Sequence, residues 1–293
     1  MSRPFFSNPK AEKFEPSKRI KAIVEESKGD LNDNEAKLFW DPKNPPKLAW
    51  DGLNVIRPGE NIDENGIVQG TYGDDYIRGT DEADTIYGQD GSDVIYGGAG
   101  DDDLYGNTGS FGATNGYDTI YGGAGNDDII GANRAYGQEG NDYLLAPRDG
   151  AVHFDGGSGN DSLVGAQGQD TLIGGSGDDR LNGGLGADSL TGGSGADHFM
   201  VGHRSEHRQE EIGTDYITDF RDAGDFIEFK YITYNQLSFD DLEFSFNSAG
   251  NLLISAANDG VSGLLAVVDG LNPNVDLWQQ VQQTSVDTLE VIA

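Results

Sequence analysis

Gly156-Gly157-Ser158-Gly159-Asn160-Asp161-Ser162-Leu163-Val164 is followed without a gap by GAQGQDTLI from Gly165, GGSGDDRLN from Gly174, GGLGADSLT from Gly183 and GGSGADHFM from Gly192. The period is nine residues. The same slots recur upstream in GTYGDDYIR, GTDEADTIY, GQDGSDVIY and GGAGDDDLY, which begin at Gly70, Gly79, Gly88 and Gly97. Between the two runs lie less regular copies: GYDTIY from Gly116, GGAGNDDII from Gly122 and GQEGNDYLL from Gly137. Gly70–Met200 is therefore one repeat array, and the rest of the chain is arranged around it.

Each slot has a physical task. Glycines at the first, second and fourth places permit positive φ and close approach of neighbouring backbones, which a tight stacked turn needs. The sixth place holds Asp75, Asp84, Asp93, Asp102, Asp118, Asp127, Asp142, Asp161, Asp170, Asp179, Asp188 and Asp197. Two places later comes a large apolar residue, from Ile77 and Ile86 to Leu190 and Phe199. A triplet with only its middle residue apolar reads as a very short strand facing inward at that residue.

One coil cannot bury its single apolar row alone, so the repeats must stack. Stacking brings the aspartates of successive coils into register, and aligned carboxylates repel unless a cation lies between them. The ligands on offer are carboxylate and backbone carbonyl oxygens. The chain has no cysteine, and no histidine falls in these slots. Hard oxygen donors at a flexible turn suit calcium, whereas magnesium demands stricter octahedral geometry and zinc prefers nitrogen or sulfur.

These residues resemble the repeats-in-toxin (RTX) array, a nonapeptide repeat associated with calcium. The resemblance implies an all-β fold, a right-handed parallel β-roll with two nonapeptides per coil. It also implies calcium between turns one coil apart, held by sixth-place aspartates and glycine-turn carbonyls, among them those of Gly157, Gly159, Gly175 and Gly177. Carried over, the pairs are Asp75 with Asp93, Asp84 with Asp102, Asp161 with Asp179, Asp170 with Asp188, and Asp179 with Asp197. Without cations, stacked carboxylates are expected to keep the array unfolded, as an acidic, glycine-rich chain.

The charge is lopsided. Residues 1–69 carry a net −1, residues 70–200 carry −19 and residues 201–293 carry −12, of a total of −32. Such a surface argues against nucleic acid and anionic lipid as partners. Without cysteine the fold does not depend on disulfides. The first thirty residues are charged throughout, with no apolar run of the signal-peptide kind, and no transmembrane segment is evident. Calcium sites of extracellular modules bind at about 10⁻⁴–10⁻³ M, too weakly to fill inside a cell. The RTX resemblance implies export by type I secretion machinery under an uncleaved C-terminal signal, and the ending Ser285–Ala293 resembles one. Secretion to the extracellular space is thus expected.

Three segments follow: an N-terminal arm and cap (1–69), the array (70–200) and a C-terminal β cap (201–293). In the first, Ile20, Ile23 and Val24 fall on one face of a short helix predicted between Ser17 and Gly29. Lys37-Leu38-Phe39-Trp40-Asp41 is echoed by Lys47-Leu48-Ala49-Trp50-Asp51. Two readings are open: the tryptophans cap the N-terminal end of the roll, or they form a stacking platform for polysaccharide. Asn61–Gly66 imitates the start of an EF-hand loop but has Tyr72 where a bidentate Glu belongs, so it reads as a turn.

Within the array, Asn107–Asn115, Ala132–Tyr136 and Ala146–Asp155 break the period and read as insertion loops, the last containing His153 and Phe154. Beyond Met200, Thr214–Phe220 and Gly224–Phe229 resemble the segment that closes RTX rolls. Alternation in Leu242–Phe246, Leu252–Ser255 and Leu264–Val268 predicts antiparallel strands. Asp276–Val281 reads as a short helix.

His203-Arg204-Ser205-Glu206-His207 matches the H-x-x-E-H zinc-peptidase pattern, but it lies in a polar spacer without the helical domain that chemistry requires. There is no H-E-x-x-H, G-x-S-x-G, P-loop or complete G-x-G-x-x-G. No catalytic residue is assigned. The expected function is that of a secreted calcium-binding protein serving a structural or interaction role at a cell surface, matrix or host interface. The alternatives are a calcium-dependent carbohydrate-binding module and, third, an enzyme using residues 1–69 and the loops.

Overall fold

A row of single apolar side chains is buried only if the next coil lies directly on top of it, and the strand pairing shows this stacking. The computed structural model describes residues 54–56, 66–106, 116–147, 150–201, 213–220, 224–230, 242–258, 261–269, 281–285 and 288–292. All of these belong to the unit Asp51–Ala293. Among them there are two sheets and no helix. The expected N-terminal helix, Trp40, Trp50, Asn61-Ile62-Asp63-Glu64-Asn65, Asn107–Asn115, the His203–His207 motif and residues 276–280 lie outside the described residues.

The chain alternates between the sheets. In sheet A, Asp75–Arg78, Val94–Ala99, Thr119–Ala124, Arg134–Glu139, His153–Ser158, Thr171–Ser176 and Ser189–Ser194 pair in parallel, each with the next. In sheet B, Thr85–Tyr87, Asp103–Tyr105, Asp128–Ile130, Tyr143–Leu145, Ser162–Val164, Arg180–Asn182 and His198–Val201 do the same. Both sheets begin upstream of the first nonapeptide. Asn54–Ile56 pairs with Asp75–Ile77, and Val68–Gln69 with Ile86–Tyr87. A strand needs only one inward apolar residue to join, and Ile56 and Val68 supply it.

The core is two columns between the sheets. Ile77, Ile95, Ile120, Ala135, Phe154, Leu172 and Leu190 form one, and Ile86, Leu104, Ile129, Leu144, Leu163, Leu181 and Phe199 the other; all are fully buried. Each buried Ile, Leu or Phe contributes about 1.5–3 kcal/mol relative to exposure. Outside sheet A, Tyr96, Tyr121 and Tyr136 stack at centroid distances of 4.7 and 4.9 Å, and outside sheet B Tyr87 stacks on Tyr105 at 4.5 Å.

Two expected insertions are corrected here. Arg134-Ala135-Tyr136 is not a loop but pairs with Thr119-Ile120-Tyr121. His153-Phe154-Asp155 likewise pairs with Arg134-Ala135-Tyr136 and with Thr171-Leu172-Ile173. Alanine and phenylalanine face one another across this step, small against large, so the summed volume of the layer is kept.

After the array both sheets continue. Asp215–Ile217 pairs in parallel with Ser189-Leu190 and with Ala266–Val268. Leu242–Phe246, Leu252–Asn258 and Val261–Val268 then run antiparallel, as the alternation predicts. On sheet B, Phe226–Lys230 pairs with His198–Val201, then antiparallel with Thr288–Ile292, which pairs with Val281–Ser285. Val281 thus opens a strand instead of closing a helix. No described helix is long and apolar enough to cross a membrane.

Candidate metal centre

The turns lie on two opposite edges. Those entering sheet A form edge A, and those entering sheet B form edge B. On edge B the sixth-place aspartates make an unbroken ladder. The backbone N–H of Asp84 donates to Asp102 Oδ1 at 2.7 Å, and the same bond links Asp102 to Asp127, Asp127 to Asp142, Asp142 to Asp161, Asp161 to Asp179 and Asp179 to Asp197 at 2.8–3.0 Å. It ends on Asp225 Oδ1, which accepts from Asp197 N–H at 3.0 Å.

Edge A carries the same ladder with a break. Asp75 donates to Asp93 and Asp93 to Asp118, both at 2.9 Å, but Asp118 N–H then donates to Asn133 Oδ1 at 3.0 Å. The next slot is Val152, whose N–H donates to Asp170 Oδ1. The ladder resumes from Asp170 to Asp188 and from Asp188 to Asp215, at 2.9 and 3.2 Å.

All twelve sixth-place aspartates thus stand in one of two files, and the five pairs eighteen residues apart are all neighbours. Asn133, Val152, Asp215 and Asp225 were missed as members because the spacing slips there. Asp118 to Asn133 is 15 residues, and Asp197 to Asp225 is 28. The only local signals were Gly213 two residues before Asp215 and Gly224 next to Asp225.

Each ladder bond uses one carboxylate oxygen. The second oxygen, Oδ2, of Asp93, Asp102, Asp118, Asp127, Asp142, Asp161, Asp179 and Asp188 is buried without a hydrogen-bond partner. Leaving a buried charge unsatisfied is expensive. Accordingly burial, reinforced in most cases by neighbouring aspartates and only partly offset by the ladder N–H, pushes Asp93 up to about 8. Asp102, Asp118, Asp142 and Asp179 are raised to about 7, and Asp127, Asp161 and Asp188 to about 6, with burial again the main cause. Where the turn supplies a donor the second oxygen is satisfied: Thr71 N–H and hydroxyl serve Asp75, Thr80 serves Asp84 and Ala166 N–H serves Asp170.

The orphaned oxygens face the first-place glycines. A Cβ built on Gly88 would lie 2.5 Å from Asp93 Oδ2 and 2.9 Å from the Gly106 carbonyl oxygen. On Gly156 it would meet Asp161 Oδ2 and the Gly174 carbonyl, both within 3.0 Å. Carboxylate and carbonyl oxygens therefore converge on space that only glycine leaves free. Gly175 and Gly177, at φ 120° and 125°, are stacked on the carbonyls of Gly157 and Gly159, too tightly for any side chain. Among the described residues no three His, Cys, Asp or Glu side chains converge as a metal-binding group. A cation at these turns must take carbonyl as well as carboxylate ligands, an all-oxygen set that fits calcium.

A second, exposed ladder runs along edge B in the opposite direction. Asn126 N–H donates to Asp101 Oδ1, Asn141 to Asn126, Asn160 to Asn141, Asp178 to Asn160 and Ala196 to Asp178, at 2.7–2.9 Å. The turn is thus held from both sides.

Residues 78–110, 113–133, 130–146, 148–172, 155–190 and 173–202 each match the family model of the RTX calcium-binding nonapeptide repeat. The array is made of RTX repeats. Comparison with curated proteins gives no match. RTX nonapeptide repeats bind calcium, and this many repeats implies several calcium ions. The RTX array of the β-roll is therefore the calcium-binding structure.

Proposed function

We propose that the chain is a secreted RTX protein that folds on meeting extracellular calcium and then serves as a structural or interaction protein at a cell surface, matrix or host interface. The single observation that carries this reading is the set of eight buried Oδ2 atoms with no partner. Asp93, Asp102, Asp118, Asp127, Asp142, Asp161, Asp179 and Asp188 are the calcium ligands in this reading. The glycine-turn carbonyls, including those of Gly157, Gly159, Gly175 and Gly177, complete their coordination. Bound calcium supplies the positive charge that offsets the stacked carboxylates. The residues' own contribution is to hold one carboxylate oxygen on a backbone N–H and leave the other facing the turn.

Because sites of this class fill at about 10⁻⁴–10⁻³ M, the coupling of binding to folding keeps the chain unfolded and export-competent inside the cell. Type I secretion machinery is the proposed carrier. The segments 1–69 and 201–293 are read as caps of the array. The test is a calcium titration of the full chain from excess chelator, followed by far-UV circular dichroism and calorimetry. A cooperative gain of β signal near the millimolar range supports the reading. A chain equally folded in excess chelator would sink it.

A further inference from the structure

The two edges are not equivalent. Edge B runs unbroken from Asp84 to Asp225, and within the array, up to Asp197, every departure from the eighteen-residue coil arises in a turn of edge A. Two consecutive edge-A turns have lost the parts from which the oxygen cradle is made. Gly131-Ala132-Asn133 is only three residues from first-place glycine to sixth-place slot, where a full turn has six. Its slot holds a neutral carboxamide that accepts the Asp118 N–H. In the next turn, first-place glycine is replaced by Ala146 and sixth-place aspartate by Val152.

The second pair of replacements is the telling one. In the intact turns a Cβ at the first place would collide with the Oδ2 of the aspartate in the same turn, at 3.0 Å or less. A first-place methyl and a sixth-place carboxylate therefore exclude one another. Here both have changed together, and both new side chains are buried, Ala146 at 8 % and Val152 at 3 % exposure. With Ala132, Ala135 and Phe154 they belong to the one hydrophobic core. Apolar contact occupies the space that oxygens line elsewhere.

We propose that Ala132, Asn133, Ala146 and Val152 form a cation-free seam in the file of edge A. It divides the calcium file of edge A into two short files, Asp75–Asp93–Asp118 and Asp170–Asp188–Asp215, while the file of edge B runs through. The proposal rests on the calcium reading above and adds to it where in the roll calcium does not bind. Stacking across the seam is held by core packing, because neither Asn133 nor Val152 brings a charge that needs neutralising.

The experiment counts and locates cations. Native mass spectrometry of the full chain in calcium gives the number bound, and anomalous diffraction from terbium-exchanged crystals gives their positions. In the wild type no anomalous peak is expected between Asp118 and Asp170 on edge A, with a continuous row on edge B. Asp142→Asn should remove at least one cation from the count. Val152→Asp alone should add none, because Ala146 still fills the cradle, whereas Ala146→Gly with Val152→Asp should add at least one. A wild-type peak in the seam, or an unchanged count in the double variant, would overturn the seam while leaving the calcium reading intact. No cation bound anywhere in the wild type would overturn both.

Discussion

Lowering the pH of the chelated protein should do in part what calcium does. In the folded, cation-free roll, burial holds eight carboxyls far above the ordinary value of 3.8: Asp93 at about 8, Asp102, Asp118, Asp142 and Asp179 at about 7, and Asp127, Asp161 and Asp188 at about 6. Folded values above unfolded ones mean that the folded state binds protons more tightly. Their stabilising effect is complete below 3.8 and is lost as pH rises through the window from about 6 to about 8.

The magnitude decides the outcome. Raising one carboxyl from 3.8 to about 7 corresponds to about 4 kcal/mol once it ionises. The floor is the cost of leaving one buried acceptor unsatisfied, about 1–2 kcal/mol per group. Over eight groups the penalty is on the order of 10 kcal/mol, comparable with the whole stability of an ordinary domain, about 5–15 kcal/mol. In excess chelator the chain should therefore be unfolded near pH 8 and should recover β signal as the pH falls toward about 5, which is still above its pI of 4.1.

Far-UV circular dichroism across that range measures the first effect. Calcium titrations across the same range measure its counterpart, since ligands must be deprotonated and apparent affinity must fall with pH. A chelated chain with the same β content at both ends of the range would refute the reasoning. So would calcium affinity that does not change between about pH 8 and 6.

Three further outcomes follow from the packing. Gly174→Ala would set a methyl within 3.0 Å of both Asp179 Oδ2 and the Gly192 carbonyl; it should cost about 1–3 kcal/mol by overpacking and raise the calcium needed for half-folding. An unchanged thermal midpoint in excess calcium would contradict it. Phe154→Ala should cost about 3–5 kcal/mol in urea melts of the calcium-loaded protein, because its neighbour across the step, Ala135, has only a methyl group and cannot fill the void; a loss no larger than a surface substitution would place Phe154 outside the core. Asn141→Ala removes the acceptor for Asn160 N–H and the donor to Asn126 Oδ1, so a loss of about 0.5–1.5 kcal/mol is expected, with the bound calcium count unchanged. A fall in that count would show that the exposed ladder shapes the metal turns as well as bracing them.

Much of this protein was legible in the chain because its information is periodic and local. Glycine, aspartate and one apolar residue at fixed places determined short strands, tight turns, parallel stacking and an oxygen-lined edge, and each follows from sterics or burial within nine residues. The same slots identified twelve of the fourteen aspartates in the two files, leaving out Asp215 and Asp225 at their C-terminal ends.

What the chain alone did not disclose is where the period slips yet the stacking does not. Ala135 and Phe154 read as loop residues because their coils span 15 and 19 residues, and only strand pairing shows them to be core. Asn133 and Val152 carry no carboxylate, so nothing local marks them as occupants of aspartate slots; hydrogen bonds to the neighbouring coils do. The division into a continuous edge and an interrupted one belongs to tertiary structure for the same reason. Which edge a turn lies on depends on how many strands precede it, and which oxygen is orphaned depends on what the next coil donates.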